Sequence, residues 1–259
     1  MIKEMQVQSK ILKESITIKA VVPTMADIER ILVLLHGKLA FDGVFSLLEQ
    51  VPQELDLQTL ALKYKAAIVM PYMRNRYYIS TEDYNISAFI STELLDAVKE
   101  TFRIGSDAEA MLGGISMGGY GAVLNAASSG RFDKILCISG AFIQDDVLIG
   151  NSEVWGTMKP TIESAKGSYL EFFLPLDSLE MSVRRNAVSA LSLLENRKEN
   201  VFVFMSCGTE DWLYSRNKKF ADELKKQKIN HVLVEIPGKE HDSMCFKDGL
   251  WEGMRKMCL

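Results

Sequence analysis

Ser116 is the residue whose sequence surroundings point most directly to chemistry. It lies in the run Gly114-Ile115-Ser116-Met117-Gly118, which follows an apolar stretch (109–115) and precedes a run of small and apolar residues (117–128). A serine between a strand and a helix, with a glycine two positions away on each side, is typical of a nucleophile elbow, since the glycines let backbone pass without a Cβ clash. The turn would expose the hydroxyl beside the free N–H groups of a helix N-terminus. We therefore expect Ser116 to act as a nucleophile.

A serine hydroxyl needs a general base, and the chain offers three histidines for that role: His36, His231 and His241. In hydrolases built on such an elbow the serine, the acid and the histidine follow in that order, which excludes His36. His231 begins a strand directly after a lysine-rich helix and is expected at the opposite edge of the sheet. His241 follows the last expected strand, in the loop PGKEHDS, so we predict that it is the base.

The acid that orients this base should follow another strand, between the serine and the histidine. The sequence VFVFMSC-GTED supplies Glu210 and Asp211 at such a place. A buried carboxylate there would fix the tautomer of the imidazole and stabilise the imidazolium. We favour Asp211 over Glu210, and we exclude Asp242 because it adjoins the base and cannot easily bend back to it.

The developing oxyanion should be bound by two backbone N–H groups. Met117, the residue after the nucleophile, supplies the first, and we expect Lys38 in the loop HGKLAFDG to supply the second. His36 would then be structural and bond local backbone. Its side chain could alternatively contact the substrate.

Composition and charge exclude several other classes of function. The chain of 259 residues carries 30 basic and 34 acidic residues, mixed along its length, which gives no electrostatic footprint for nucleic acid. Its four cysteines form no CxxC pair and no cluster with histidine, so we expect no zinc site. The expected serine chemistry needs no metal or organic cofactor. No run approaches the length of a membrane span. The N-terminus lacks the apolar core of a signal peptide, so we expect reduced cysteines and a cytoplasmic location.

Short apolar runs alternate with segments of helical period and predict the elements that would position these residues. Expected strands cover 15–22, 30–36, 66–70, 109–115, 134–139, 201–207 and 231–236, and expected helices cover 85–102, 117–128, 215–228 and 244–258. This alternation predicts a doubly wound α/β fold with a mostly parallel central sheet and helices on both faces. We expect one domain over 1–259, with 141–200 as a cap-like insertion near the active-site edge.

Several stretches together resemble the esterase D family of α/β-hydrolases. They include ILVLLHG, IVMPYMRNRYYIST, GGISMGGYGAVLNAASSGRFDKILCISGAF, CGTEDWLYSRNKKFADEL and IPGKEHDS, and they cover most of residues 16–245. The resemblance implies the α/β-hydrolase fold, with Ser116 as nucleophile, Asp211 as acid and His241 as base. CGTEDWLY and the chain length are most similar to the small tributyrin-type esterases. The family often has an aromatic residue in a run HDW, where this chain has Ser243 after Asp242.

The expected function is that of a serine carboxylesterase that hydrolyses small acyl esters through an acyl-enzyme. Acyl transfer to an alcohol, and hydrolysis of S-formylglutathione or feruloyl esters, are alternatives with the same triad, whereas a non-enzymatic binding module would usually have lost a triad member. Related esterases often associate, so a homo-oligomer is compatible with the resemblance. Further aromatic or basic side chains could line the substrate site: Arg74, Arg76, Tyr77, Tyr78, Trp155, Tyr169, Phe172, Phe173, Trp212 and Tyr214.

Overall fold

A computed structural model of the chain describes residues 2–23, 28–38, 51, 53–74, 76–143 and 190–258. Eight strands form one sheet within these residues. They are β1 (Ile2–Ser9), β2 (Glu14–Val21), β3 (Arg30–Leu35), β4 (Ala66–Pro71), β5 (Glu109–Ile115), β6 (Lys134–Ile138), β7 (Phe202–Gly208) and β8 (Asn230–Ile236).

The strands are arranged in the order β1-β2-β4-β3-β5-β6-β7-β8. β2 runs antiparallel to both of its neighbours, and every other pairing in the sheet is parallel. The six strands from β3 to β8 therefore end at one common edge. Loops that follow β3, β5, β7 and β8 meet at that edge, where open α/β sheets bind their ligands.

Helices cover both faces of the sheet. The described helices are α1 (Leu57–Lys63), α2 (Ile86–Ser91), α3 (Glu93–Phe102), α4 (Met117–Ser129), α5 (Ala190–Glu195), α6 (Tyr214–Lys226) and α7 (Ser243–Met257). Residues of α2 to α6 belong to the larger hydrophobic cluster on one face, and residues of α1 and α7 belong to the smaller cluster on the other. The buried strands are almost continuously apolar, as expected when both faces are covered.

The predicted α/β fold is confirmed, and all seven expected strands are present within a residue or two of their expected ends. β1 was not expected. Its sequence IKEMQVQS is largely polar, and the strand lies at the edge of the sheet, where mainly Val7 and Ser9 are buried.

The expected single helix over 85–102 is in fact two helices, with a break at Thr92. The hydroxyl groups of Ser91 and Thr92 donate to the carbonyl oxygens of Ser87 and Ala88, at 2.8 and 2.7 Å. Such bonds to the preceding turn compete with regular helix geometry. Within the expected insertion over 141–200, the structure describes 141–143 and 190–200, and the part from 144 to 189 lies outside the described residues.

Candidate active site

Ser116 lies on a sharp turn between β5 and α4. Its backbone has a φ of 56° and a ψ of −117°, a conformation that L-residues rarely adopt. A Cβ atom on Gly114 would overlap the backbone of Gly118, and one on Gly118 would overlap the carbonyl of Leu35. The two glycines thus allow β5, α4 and the end of β3 to approach closely enough to hold this strained turn.

Three side chains that the sequence places far apart are brought into one hydrogen-bonded chain. The Nε2 atom of His241 lies 3.0 Å from the Oγ of Ser116, and its Nδ1 atom lies 2.8 Å from Oδ2 of Asp211. Asp211 follows β7 and His241 follows β8, so both come from the edge of the sheet at which β5 ends. The three side chains thus have the geometry that nucleophile, base and acid require.

The carboxylate of Asp211 is held in its ionised form. Burial acts to raise its pKa, but the hydrogen bond and charge of His241, together with the backbone N–H of Leu213, outweigh that effect and lower the pKa. The Leu213 N–H donates to Oδ1 at 2.8 Å, so each carboxylate oxygen has a donor. An ionised, oriented acid fixes the proton of His241 on Nδ1 and leaves Nε2 free to accept.

The neighbouring carboxyl groups serve other purposes. Glu210 is exposed, and the structure shows no side-chain hydrogen bond for it within the described residues. Asp242 caps helix α7, since its Oδ1 atom accepts the Cys245 N–H at 2.8 Å. His231 lies near the amino end of β8, beside Val203, and its Nδ1 atom contacts the carbonyl of Ile229.

Two aromatic rings pack against the imidazole of His241. The Phe246 ring meets it edge-on at 4.9 Å between centroids, and the Trp212 ring lies at 5.5 Å. Trp212, expected near the substrate, is therefore adjacent to His241, the predicted base. Phe246 was not predicted from the sequence. It lies one turn into α7, which puts its ring against the imidazole. The resemblance had suggested an aromatic residue closer in sequence to His241.

His36 is buried, and both of its ring nitrogens are occupied by backbone. Nε2 accepts the N–H of Met73 at 3.1 Å, so the proton is on Nδ1, which donates to the carbonyl of Gly37 at 2.7 Å. Burial lowers the pKa of His36 to about 4 and keeps the ring neutral. These contacts favour the structural role over direct recognition of a substrate through the ring nitrogens.

Tyr77 and Tyr78 do not lie where a substrate could reach them. Their exposed fractions are 2% and 1%, and Tyr78 packs against Gly121 of α4 while its hydroxyl donates to the carbonyl of His36 at 3.0 Å. Both have a positive φ, so the turn after β4 directs them inward, which the sequence did not reveal. The expectation that they contact the substrate is therefore wrong for this structure.

Tyr214, also expected near the substrate, begins α6, and the Lys218 ammonium lies 5.4 Å from the centre of its ring. The remaining expected substrate residues fall into two groups. The guanidinium of Arg74 pairs with Glu14 at 3.0 Å, and that of Arg76 lies 4.1 Å from the ring centre of Tyr84, so both face β2 rather than the triad. Trp155, Tyr169, Phe172 and Phe173 lie outside the described residues.

A cavity of about 350 Å³ opens beside Ser116 on the face of the sheet that carries α1 and α7. Ser116, His241, Gly37 and Lys38 lie at the cavity. Burial lowers the pKa of the Lys38 ammonium to about 8. The wall is mostly apolar and is formed, among the described residues, by Leu34, Val51, Leu55, Met70, Ile115 and Phe246. Sequence reasoning missed these residues, because nothing in their pattern separates them from ordinary core positions.

Comparison with known proteins decides the class of the molecule. Residues 9–255 match the model of the family described as "Putative esterase". The chain belongs to this esterase family. An acetyl esterase of Caldicellulosiruptor saccharolyticus is 26% identical over 186 residues, which cover 69% of this chain and 67% of that protein. The esterase is thus a carboxylic ester hydrolase, as predicted.

Solved structures show the same fold. The substrate-bound Staphylococcus aureus fluorophosphonate-binding serine hydrolase FphF superposes with a TM-score of 0.73 at 18% identity, covering 100% of the esterase and 98% of that chain. The S-formylglutathione hydrolase FrmB of Staphylococcus aureus has a TM-score of 0.70 at 19% identity and covers 100% and 99%. Among the described residues of the esterase, no helix is long and apolar enough to cross a membrane, and no group of side chains has the make-up of a metal site.

Proposed function

We propose that the esterase hydrolyses small, uncharged carboxylic esters through a Ser116–His241–Asp211 triad. The observation that carries the proposal is the continuous hydrogen-bonded chain from the Ser116 Oγ through both nitrogens of His241 to Asp211. Family membership supports the class of reaction, and the acetyl esterase relative supports a small acyl group.

In the acylation step the Oγ of Ser116 attacks the ester carbonyl while Nε2 of His241 accepts the hydroxyl proton. The buried carboxylate of Asp211 stabilises the imidazolium that forms. The tetrahedral intermediate collapses when the C–O bond to the alcohol breaks, and Nε2 returns the proton to the departing oxygen. Water then attacks the acyl-enzyme with His241 as base, and the acid product leaves as Ser116 recovers its proton.

The backbone N–H groups of Met117 and Lys38 form the oxyanion hole of this mechanism. The turn at Ser116 begins α4, so the Met117 N–H is one of the unpaired donors of a helix N-terminus. A Cβ on Gly37 would lie 3.4 Å from the Cβ of Ser116, which places the peptide between Gly37 and Lys38 beside the nucleophile.

His36 orients this peptide. Its Nδ1–H group holds the Gly37 carbonyl. In a trans peptide the N–H of the next residue points the opposite way, so the bond to His36 directs the Lys38 N–H away from the ring. The Met73 N–H holds the ring itself through Nε2. A buried neutral histidine, with both ring nitrogens bonded to backbone, thus sets one oxyanion donor.

The Ser116→Ala variant tests the nucleophile. We expect kcat for p-nitrophenyl acetate to fall by about 10⁴-fold or more, and covalent labelling by a fluorophosphonate probe to disappear, with the unfolding midpoint unchanged. Ser128→Ala, in the same helix but remote from the turn, is the matched control and should keep both activities. Ester turnover retained by Ser116→Ala would reject the proposal.

A cytoplasmic location is part of the proposal. All four cysteines are free, and Cys137, Cys207 and Cys245 are buried, which suits a reducing compartment. Burial raises the pKa of the Cys245 thiol, so it stays protonated. Cell fractionation, with the free-thiol content measured in the same fractions, tests this assignment. Enrichment in an oxidising compartment or in the culture medium would contradict it.

Association of identical copies is the last part of the proposal. β8 is the final strand of the sheet and pairs with β7 alone among the described strands, so its outer edge can accept a second chain. Light scattering after size exclusion measures the mass directly. A mass of one chain across micromolar concentrations would contradict association.

A further inference from the structure

The cavity beside Ser116 has a defined wall, because three elements contribute to it on the same face of the sheet. Leu34 of β3, Met70 of β4 and Ile115 of β5 form its floor, and these strands are direct neighbours in the sheet. The pairing of Val33 with Val69 sets Leu34 beside Met70. The floor is therefore a rigid, apolar part of the sheet directly beneath the nucleophile.

One side wall comes from the turn that leads into α1. The N–H of Leu55 donates to the carbonyl of Val51 at 3.0 Å, so the two side chains, four residues apart, lie on one face of a helical turn and both line the cavity. The other side wall comes from the first turn of α7, through Ser243 and Phe246.

The two side walls are tied together. The indole N–H of Trp251 donates to the carbonyl of Leu55 at 3.3 Å, and Lys247 pairs with Asp56 at 3.9 Å. From its middle onward α7 packs tightly on the sheet, since a Cβ on Gly249 or Gly253 would overlap side chains of β6 and β7. The helix thus approaches the sheet closely at one end and leaves a space at the end nearest Ser116.

Among the described residues, the two carboxylates that line the cavity lie where they do not oppose an apolar guest: Glu54 is exposed, and the Asp242 carboxylate is already used to cap α7. Lys38 also lines the cavity, where burial lowers the pKa of its ammonium to about 8 and so eases the loss of its charge. A cavity of about 350 Å³ is at the small end of ligand pockets and suits an aliphatic chain of short to medium length.

We propose that this cavity binds the acyl chain of the ester and makes the enzyme selective for esters of uncharged aliphatic acids of short to medium length, with Leu55 as a residue that sets the length limit. The proposal rests on the proposed function and refines its substrate class. The sheet closes the floor of the cavity, which suits the group that stays on Ser116 while the alcohol departs.

The test measures kcat/KM for p-nitrophenyl esters from acetate to dodecanoate. In the natural enzyme, each methylene that the cavity encloses should raise kcat/KM about fourfold until the cavity is full, after which the values fall. Leu55→Phe should lower the ratio of octanoate to acetate turnover at least tenfold. Leu55→Ala should move the optimum to longer acids.

Leu62→Phe is the matched control, because Leu62 lies on α1 but is 48% exposed and outside the cavity. It should reproduce the chain-length profile of the natural enzyme. Leu55→Phe should shorten the preferred acyl chain and Leu55→Ala should lengthen it. Fluorophosphonate labelling at the natural rate shows that a variant is folded, and one such variant suffices for the test.

Two outcomes would overturn the inference. One is that kcat/KM depends on acyl-chain length in both Leu55 variants as it does in the natural enzyme. The other is that Leu55→Phe discriminates among acetates of different alcohols while the acyl profile stays unchanged, which would assign the cavity to the leaving group. In both cases Ser116 still reacts with fluorophosphonate and acetate is still hydrolysed. Failure of the proposed function itself would instead abolish those two reactions in the natural enzyme.

Discussion

The two faces of the sheet at Ser116 are built in opposite ways. On the α4 face, glycines let the backbones of β3, β5 and α4 nearly touch, and Tyr78 fills the space against Gly121. On the face of α1 and α7, a cavity of about 350 Å³ reaches the same serine. We call these the packed face and the cavity face.

The difference separates two tasks. The packed face fixes the strained turn of Ser116, the proposed nucleophile. The cavity face leaves room for the acyl chain that we propose it binds. Damage to the packed face or to the proposed triad should therefore lower the rate for all esters alike, whereas changes in the cavity should act according to chain length.

Among the variants that test the difference between the two faces, the largest expected effect is that of Asp211→Asn. An amide at this position cannot hold His241 in the required tautomer or stabilise the imidazolium, so kcat should fall about 10³- to 10⁴-fold for acetate and octanoate esters alike. Glu210→Gln is the control in the adjacent exposed position and should stay within twofold of the natural rate. Steady-state kinetics measure both. A fall in kcat that differed between acetate and octanoate esters would contradict the division of tasks between the packed face and the cavity face.

Gly118→Ala tests the packed face directly. The added Cβ overlaps the backbone of Leu35 and His36, so β3 and α4 must separate, and the free energy of unfolding should fall by about 3 kcal/mol or more. Gly238→Ala is the contrast, because its φ is +67° but no atom lies within 4 Å of the new Cβ. It should cost about 1 kcal/mol. Urea unfolding measures both values, and equal losses would contradict the close approach of β3 and α4 as the reason for glycine at position 118.

His36 should make stability depend on pH. Burial holds its pKa at about 4 in the folded protein, below the ordinary value of 6.5, so the unfolded chain takes up the proton first as the pH falls. This contribution to stability is complete above pH 6.5 and is lost progressively down to pH 4, by about 3 kcal/mol in total.

The measurement compares urea unfolding of the natural protein and His36→Gln at pH 7.5 and pH 4.5. The natural protein should lose more stability between the two than the variant does, and the variant should be less stable at pH 7.5 because the Met73 N–H and the Gly37 carbonyl lose a fitted partner. The same pH dependence in both proteins would mean that His36 is not held neutral by burial.

The smallest expected effect is that of Arg74→Ala. Arg74 forms an ion pair with Glu14 on the side of β2, where Glu14 also accepts the hydroxyl of Tyr84. The exposed pair should contribute less than about 1 kcal/mol to stability, and kcat/KM should stay within twofold for every ester. A selective loss for one class of alcohol, measured with a series of acetates, would extend the substrate site beyond the cavity face.

The sequence predicted the packed face better than the cavity face. The glycines around Ser116, the order of the expected strands and the scarcity of histidine identified the three residues that the structure brings together. That reasoning works because an elbow needs particular residue types at fixed spacing. β1 was not predicted, because nothing in its largely polar sequence indicates that Val7 is buried.

The cavity could not be predicted, because it depends on where two helices end relative to each other. Leu55 and Phe246 are ordinary apolar residues in the sequence, and only the packing of α7 on β6 and β7 leaves space between them. Tyr77 and Tyr78 show the reverse case. Their place after β4 suggested the substrate site, but the positive φ of both residues turns the side chains into the core.

Peptide mapping of the acylated enzyme tests the central claim most directly. The protein is mixed with p-nitrophenyl butyrate, quenched in acid within the turnover time, digested and analysed by mass spectrometry. The account predicts a butyryl group on Ser116 and none in the Ser116→Ala variant. A butyryl group on another residue, or a burst of p-nitrophenol with no modification at Ser116, would contradict it.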